Sequence, residues 1–329
     1  NQWTSQTIYA NNTRRSEGFY LYEFIRGATT DEMLERNVSL QNSINTSTDI
    51  QQNFTGDFKI AGFRNRMVVG LDYLNQTINN DNSPYIVFDN LSGLNPADPN
   101  YVKISRAAVE AKLATSTAAP TKNNTKSNIY SAYASDVLNV TDQLMAMLSL
   151  RVDRFHNKGT LNQATNSIAV NTPYLQTAVS PKIGLVYQVL KDRVSVFGNY
   201  MNGFSNVAPI TQPEGSGISG TFKPQQANQF EGGVKMDLFE GKLSFTASVY
   251  DIEVKNVTRP EEVNVNGVNY NVTVQNGSQK SKGVELELIT NPIEGLNIIA
   301  GYSYNDSKLT KSTTALEGRR PASAGPAVL

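Results

Sequence analysis

The sequence predicts an all-β fold, specifically an antiparallel transmembrane β-barrel, on the basis of three observations. Many segments alternate between apolar and polar residues, most clearly residues 243–250, where odd positions are apolar and even positions mostly carry hydroxyl groups. Neighbouring side chains of a strand point to opposite faces, so this pattern gives each strand one apolar and one polar face. Short turns and long polar loops join the segments in alternation, which is typical of membrane barrels. Most segments also approach the ~10 residues that a tilted strand needs to cross a bilayer.

The strands follow from the same period of two along the chain. The clearest hairpin joins residues 52–60 to residues 66–73 through a compact turn at residues 61–65. The alternation continues near residues 129–138, 143–153, 180–189, 194–200, 229–238, 243–250, 284–288 and 296–304. Residues 4–14 and a stretch within residues 34–50 are predicted to form two further long strands. Antiparallel pairing through the turns gives about eleven strands.

Long connections separate some of these strands. Residues 75–127 are predicted as a long excursion that contains a short helix at residues 106–113, where helix-forming residues cluster. A polar loop is expected to run from the end of the strand at residues 143–153 to about residue 172. Another connection is expected at residues 258–276. Loops of this length are uncommon unless they have a function.

Composition limits the functional classes. The 329 residues contain 29 Lys and Arg against 29 Asp and Glu, so there is no global field that attracts nucleic acid. There is no cysteine and only one histidine, His156, which argues against thiol catalysis and most metal sites. We interpret His156 as a surface histidine, with ligand contact as the alternative. The carboxylate pairs Asp251/Glu253 and Glu285/Glu287 are interpreted as solvated or lumen-facing rather than catalytic, and no enzyme is predicted.

The two faces of the strands have different compositions. Tyr73, Tyr187, Tyr200 and Tyr302 lie on the apolar face near strand ends, as expected of an aromatic girdle at a membrane interface. The opposite face carries charges of both signs, which predicts a polar lumen without strong ion selectivity. Its charged residues are Asp57, Lys59, Arg66, Asp72, Arg151, Asp153, Lys182, Glu231, Lys235, Asp237, Glu285 and Glu287.

Several segments resemble TonB-dependent siderophore receptors of the bacterial outer membrane. The segments that carry the resemblance are residues 69–73, 150–153, 179–187, 194–204, 223–235, 250–252, 280–287 and 301–304. Each segment alone is moderately specific for this family, whereas the order and spacing of all the segments together are strong evidence of the resemblance. The resemblance covers nearly the whole chain.

The resemblance implies a 22-stranded barrel with an N-terminal plug domain inside it. Residues 1–329 are then expected to form about half of the barrel, with the plug and the TonB box before Asn1 and further strands after Leu329. The implied function is uptake of ferric-siderophore complexes across the outer membrane, driven through the TonB–ExbB–ExbD complex. The iron stays bound to the siderophore, so neither a cofactor nor a protein ligand set for a metal is expected. The other implied partner is outer-membrane lipid.

Five aromatic residues in or beside the long loops are candidates for ligand contact: Tyr85, Phe88, Tyr174, Phe204 and Tyr270. Packing within the loops is the alternative role for each of them. Three alternative functions remain at this point: TonB-dependent uptake of another cargo such as cobalamin or a glycan, a passive porin, and a soluble β-rich adhesin or lectin. The last alternative predicts that Leu150, Phe245, Leu286 and Ile298 are buried in a protein core.

Overall fold

The computed structural model describes residues 3–26, 33–93, 95 and 97–322. Thirteen strands and one helix form in this part of the chain. They are β1 (Trp3–Arg26), β2 (Met33–Ile60), β3 (Phe63–Asn82), β4 (Ile86–Ser92), α1 (Arg106–Ala114), β5 (Thr121–Asn139), β6 (Leu144–Asn162), β7 (Ser167–Ile168), β8 (Pro173–Leu190), β9 (Val194–Ser205), β10 (Gln225–Leu238), β11 (Leu243–Val265), β12 (Val268–Ile293) and β13 (Leu296–Lys311). The plug and the TonB box expected before Asn1, and the further strands expected after Leu329, lie outside the described residues.

All thirteen strands belong to one antiparallel sheet. Eleven of them follow each other in the order β1-β2-β3-β5-β6-β8-β9-β10-β11-β12-β13, while β4 pairs with β2 and β7 pairs with β6. The predicted all-β antiparallel fold with about eleven long strands is therefore confirmed. The tight turns, such as residues 61–62 and 239–242, all lie at one end of the strands, which we call the turn end. The long connections lie at the opposite end of the strands, which we call the loop end.

Strand register separates an outer face from an inner face. Leu150 of β6 lies between Ala134 and Pro181 on the neighbouring strands, so these positions form an apolar row. The next residue, Ser149, lies between Ser135 and Lys182 in a polar row on the opposite face. The apolar rows define the outer face of the sheet, and the polar rows define its inner face.

Along the apolar rows, the outer face is not covered by protein in the described part of the chain. The side chains of Leu150, Leu286 and Ile298 are 49%, 37% and 42% exposed, and Phe245 is half-buried. A soluble sandwich would bury this row beneath a second sheet, so the soluble adhesin interpretation is wrong. An exposed apolar face on one continuous sheet is the arrangement expected of a wall that meets lipid.

Some predicted loops are strands in the structure. β3 continues to Asn82 and β5 begins at Thr121, so both enter the excursion predicted at residues 75–127. β11 and β12 fill the predicted connection at residues 258–276 and meet at Asn266 and Gly267, whose φ angles of 51° and 87° suit a two-residue hairpin turn. β2 is also one strand rather than the two predicted at residues 34–50 and 52–60, because residues 33–56 pair without interruption with β1. Polar residues on both faces concealed these strands from an alternation test.

The short helix predicted at residues 106–113 is confirmed as α1. Its first turn is capped by Ser105, whose hydroxyl accepts a hydrogen bond of 3.2 Å from the amide of Ala108. Every helix in the described part of the chain falls below the length and hydropathy that membrane crossing requires.

Glycine lies directly beneath an aromatic ring at three cross-strand pairs of the inner face. Tyr133 covers Gly70, Phe197 covers Gly233 and Tyr250 covers Gly283. A Cβ atom on Gly70 would lie 2.3 Å from Cζ of Tyr133, which is too close for two carbon atoms. These glycines therefore let large rings lie flat along the inner wall.

We expect Gly70→Ala to destabilise the complete protein by about 1–3 kcal/mol, because Tyr133 must move off its hydrogen-bonding partners. The measurement is the temperature at which the heat-resistant folded band of the purified protein disappears on a gel. Gly203→Ala is the matched control, since a Cβ atom there meets nothing within 4 Å. Equal transition temperatures for the two variants would contradict the role assigned to Gly70.

Candidate functional site

The inner face contains a charged network centred on Arg151. The guanidinium donates hydrogen bonds of 2.9 Å to Asp72 and 2.9 Å to Asp153, and one of 2.8 Å to the hydroxyl of Ser131. Its central carbon also lies 5.3 Å from the ring centre of Tyr133. The predicted inner-face positions of Asp72, Arg151 and Asp153 are therefore confirmed, and they link three strands.

Tyr133 extends this network to β2. Its hydroxyl accepts a hydrogen bond of 2.7 Å from the side-chain amide of Gln51 and donates one to the side chain of Asn53. Four strands, β2, β3, β5 and β6, are thus joined by side chains as well as by backbone pairing. The inner wall at this place is polar and already hydrogen-bonded, so its groups are held in fixed positions.

Nearer the turn end, the inner face encloses a concave region of about 870 Å³. Glu231, Lys235, Glu285 and Glu287 line it, together with apolar and hydroxyl-bearing side chains. Glu285 and Glu287 therefore face the lumen, as one of the two interpretations predicted. Asp251 lies on the outer face instead, where the ammonium groups of Lys280 and Lys282 approach it at 3.1 and 3.3 Å.

Four aromatic side chains cluster at the loop end of the inner face. They are Tyr20, Tyr22 and Phe24 of β1 and Tyr85 beside β4, and we call them the aromatic patch. The ring centre of Tyr22 lies 5.1 Å from the ring centre of Phe24 and 5.3 Å from that of Tyr85. Tyr20 and Tyr85 are each 51% exposed, and the register of β1 on β2 places the three β1 rings on the same face as Asn53.

Polar groups surround the aromatic patch. The guanidinium of Arg26 lies 4.4 Å from the ring centre of Phe24 and bonds Glu35 at 3.2 Å. Hydrogen bonds from Asn37 and Arg26 lower the pKa of the Glu35 carboxyl below its ordinary value. Gln41 donates to the hydroxyl of Tyr85 at 3.2 Å. Exposed rings beside a cation suit a ligand with planar or aromatic groups and negative charge.

The other face of the same strands is covered by the connection between β3 and β5. Val38 of β2, Phe88 of β4 and Val109 of α1 form a small buried core, which we call the loop core. Val38 and Val109 have no exposed surface. The connection is therefore folded against β2 and forms a defined platform behind the aromatic patch.

An ion pair closes the loop core. Arg36 donates two hydrogen bonds to the carboxylate of Asp89 and a third, of 2.7 Å, to the carbonyl oxygen of Val102. The ring centre of Tyr101 lies 4.8 Å from the guanidinium. The hydrogen bonds to Asp89 raise the pKa of the Arg36 guanidinium above its ordinary value, against the opposing effect of burial. Both side chains are largely buried, at 7% and 11% exposed, so each depends on the other for compensation.

The five residues predicted for ligand contact lie in different environments. Tyr85 belongs to the aromatic patch, whereas Phe88 is only 5% exposed in the loop core, which favours the packing role for it. Tyr174 lies 5.3 Å from the ring of Phe155, and burial raises the pKa of its hydroxyl. Phe204 lies four positions after Tyr200 on β9 and therefore on the same outer face. Among the described residues, no ring contact joins any two of the five.

Tyr270 packs against the connection between β9 and β10, at residues 206–224. A Cβ atom on Gly215 of that connection would lie 2.7 Å from the Tyr270 hydroxyl. Gln176 fixes the same connection with hydrogen bonds to the carbonyl oxygens of Val207 and Phe222 at 2.7 and 2.9 Å. Gln212 in turn bonds both the amide and the carbonyl group of Thr273. Tyr270 thus contributes to a loop that side-chain amides hold in place.

Sequence reasoning missed Tyr20, Tyr22 and Phe24. A sequence indication was present, since every second residue from 20 to 24 is aromatic, which puts the three rings on one strand face. The fourth ring of the patch, Tyr85, lies more than 60 positions further along the chain than these three rings. Only the pairing of β4 with β2 brings Tyr85 next to them.

A single antiparallel sheet with an exposed apolar outer face and a charged inner face defines the wall of a membrane β-barrel. Residues 1–326 match the family described as "TonB dependent receptor-like, beta-barrel". The chain belongs to that family, whose members are receptors of the bacterial outer membrane.

Two of the curated relatives are named as receptors. The metal-pseudopaline receptor CntO of Pseudomonas aeruginosa is 25% identical over 274 residues, which are 82% of this chain and 36% of the relative. The ferrioxamine B receptor of Salmonella typhimurium is 24% identical over 302 residues, covering 90% of this chain and 38% of the relative. The chain thus spans little more than a third of the length of these two relatives.

Solved structures show the same fold. The ferric preacinetobactin receptor BauA of Acinetobacter baumannii superposes with a TM-score of 0.74 at 21% identity, over 99% of this chain and 46% of that one. The ferripyoverdine receptor of Pseudomonas aeruginosa superposes with a TM-score of 0.72 at 18% identity, over 99% of this chain and 40% of that one. At these identities the likeness establishes the fold.

We expect Asp89→Asn to loosen the loop core, because it leaves the guanidinium of Arg36 buried without an opposing charge. A cost of about 3 kcal/mol would raise hydrogen exchange of the α1 amides by about two orders of magnitude. Glu110→Gln is the control, since it removes an exposed ion pair to Arg106 in the same connection. Exchange rates in α1 that are the same in both variants would contradict the importance of the buried pair.

Proposed function

We propose that residues 1–329 form about half the wall of a 22-stranded barrel in an outer-membrane receptor that takes up ferric-siderophore complexes. The family match over residues 1–326 carries this proposal. The relatives are named for metal-pseudopaline and ferrioxamine B, and the solved structures for ferric preacinetobactin and ferripyoverdine, all of which are metal chelates. The iron enters as cargo inside its chelate and needs no ligand from the wall.

The aromatic patch is the part of this wall that we assign to the chelate. Exposed rings at the loop end supply apolar area that needs little ordering, because Tyr22 contacts both Phe24 and Tyr85. Arg26 adds a guanidinium group beside Phe24, held there by its ion pair with Glu35. The loop core fixes the strands behind the patch, so the rings are positioned before the ligand arrives.

Uptake also needs an energy source. The family description names TonB, which supports coupling to the TonB–ExbB–ExbD complex as part of this proposal. We assign that coupling to a plug domain of the complete receptor, and we assign to the inner wall described above the role of its polar lining.

A growth assay tests the proposal. A strain that lacks the complete gene is grown on a panel of ferric siderophores as sole iron sources, with and without the gene restored. We expect growth to depend on the gene for at least one chelate and to require TonB. Gene-dependent uptake of cobalamin or a glycan alone, or uptake that persists without TonB, would overturn the ferric-siderophore assignment.

A binding measurement tests the role proposed for the aromatic patch. Replacing Tyr22 and Tyr85 together by alanine should weaken binding of the transported chelate about tenfold or more, as loss of two stacking rings would. Quenching of intrinsic fluorescence in the purified receptor measures the dissociation constant. Phe204→Ala is the matched control, because it removes a ring from the outer face. Weaker binding in the control than in the double variant would contradict the placement of the site.

A further inference from the structure

The cationic Arg154 and the imidazole of His156 lie on the outer face just beyond its apolar belt. Leu148, Leu150 and Val152 of β6 form the exposed apolar row, and Arg154 and His156 continue it toward the loop end. Register places Arg154 between Tyr130 and Thr177 of the neighbouring strands. A bilayer wall changes here from its hydrocarbon layer to its headgroup layer.

A shallow cavity of about 430 Å³ joins these two side chains to aromatic and apolar surface. Tyr130, Arg154, His156 and Leu175 of the outer face line it, together with Asn157, Pro173 and Tyr174. Tyr130 and Leu175 are each 49% exposed. The ring of Tyr130 lies 5.1 Å from that of Tyr73, whose hydroxyl donates to Asn128 at 3.2 Å. The floor of the cavity is thus held by an aromatic pair of the kind that favours a membrane interface.

The charge of Arg154 is not neutralised by a carboxylate within the described part of the chain. Arg154 makes one hydrogen bond there, of 3.4 Å to the hydroxyl of Thr177, and no carboxylate forms an ion pair with Arg154 or His156. Lysines on the outer face of β12 and β13 differ from Arg154, because they have carboxylate partners. Lys282 approaches Asp251 at 3.3 Å, and Lys308 approaches Asp306 at 2.8 Å.

In outer-membrane barrels the short turns are periplasmic and the long loops extracellular, so the loop end of this wall faces the cell exterior. We propose that this cavity binds the phosphate of an anionic lipid headgroup in the outer leaflet. Arg154 offers a planar set of donors that fits a phosphate, and the ring nitrogen of His156 supplies a further donor. Tyr130 and Leu175 contact the apolar part of the same lipid, since they continue the belt on which its acyl chains rest. The occupant is a lipid rather than a soluble anion because Tyr130, Arg154, His156 and Leu175 all lie on the outer face, which meets lipid.

The test uses the complete receptor purified in a mild neutral detergent and supplemented with diphosphorylated lipid A. Native mass spectrometry measures the fraction of protein that carries the lipid. Arg154→Gln should lower the apparent affinity about fivefold, which corresponds to one cation near a charged lipid surface. Arg154→Gln combined with His156→Gln should lower it further. Lys282→Gln is the matched control, because that cation already has a carboxylate partner, and it should bind like the wild type.

Two further measurements separate the sources of the phosphate. Removal of both phosphates from the lipid should abolish the difference between the wild type and Arg154→Gln, and inorganic phosphate at the same concentration should not displace the lipid. Equal lipid binding by the wild type and the double variant, with the folded gel band intact in both, would overturn the proposal. Displacement by inorganic phosphate at equal concentration would overturn the choice of a lipid.

Discussion

Backbone hydrogen bonding is the constraint on which the rest of this structure depends. The hydrocarbon layer of a membrane offers no water to an unpaired amide or carbonyl group, so each strand that crosses it must pair along its length with neighbours on both sides. In the described part of the chain, nine of the eleven long strands meet that requirement within one continuous antiparallel ladder. The two outermost strands, β1 and β13, each have one neighbour in this ladder.

The ladder fixes which side chains share a face, and the two faces then acquire different chemistry. On the outer face, an apolar row such as Leu148, Leu150 and Val152 needs no partner, because lipid supplies its surroundings. On the inner face, Arg151 binds Asp72 and Asp153 across strands, and Tyr133 lies flat over Gly70. Polar side chains there are fixed by one another, which gives the wall a rigid lining.

Beyond the membrane the same strands serve another purpose. β1 and β2 extend past the apolar belt and carry the aromatic patch on one face and the loop core on the other. The buried pair of Arg36 and Asp89 ties the long connection to β2, so the rings of Tyr22 and Tyr85 meet without help from a ligand. A binding surface positioned in this way spends less free energy on ordering when the ligand arrives.

The sequence predicted the parts of this arrangement that depend on period. Alternation located the membrane-crossing strands, their outer tyrosines and the inner charges, because burial against lipid or water acts on every second residue. It failed where both strand faces are wet, and so β3, β5, β11 and β12 were predicted too short at the loop end. It also failed for the candidate site, since Phe88 and Tyr85 lie three residues apart yet point into different environments. That difference depends on the pairing of β4 with β2, which no local pattern encodes.

The assignment of the outer face to lipid is the central claim, and the absence of cysteine from the chain makes it directly measurable. Single cysteines at positions 147 to 150 of β6, each carrying a nitroxide spin label, would be compared in the complete receptor reconstituted into vesicles. The account predicts that the ratio of accessibility to oxygen over that to a water-soluble nickel complex is high at Leu148 and Leu150 and low at Met147 and Ser149. Ratios that do not alternate, or that alternate in the opposite sense, would contradict it.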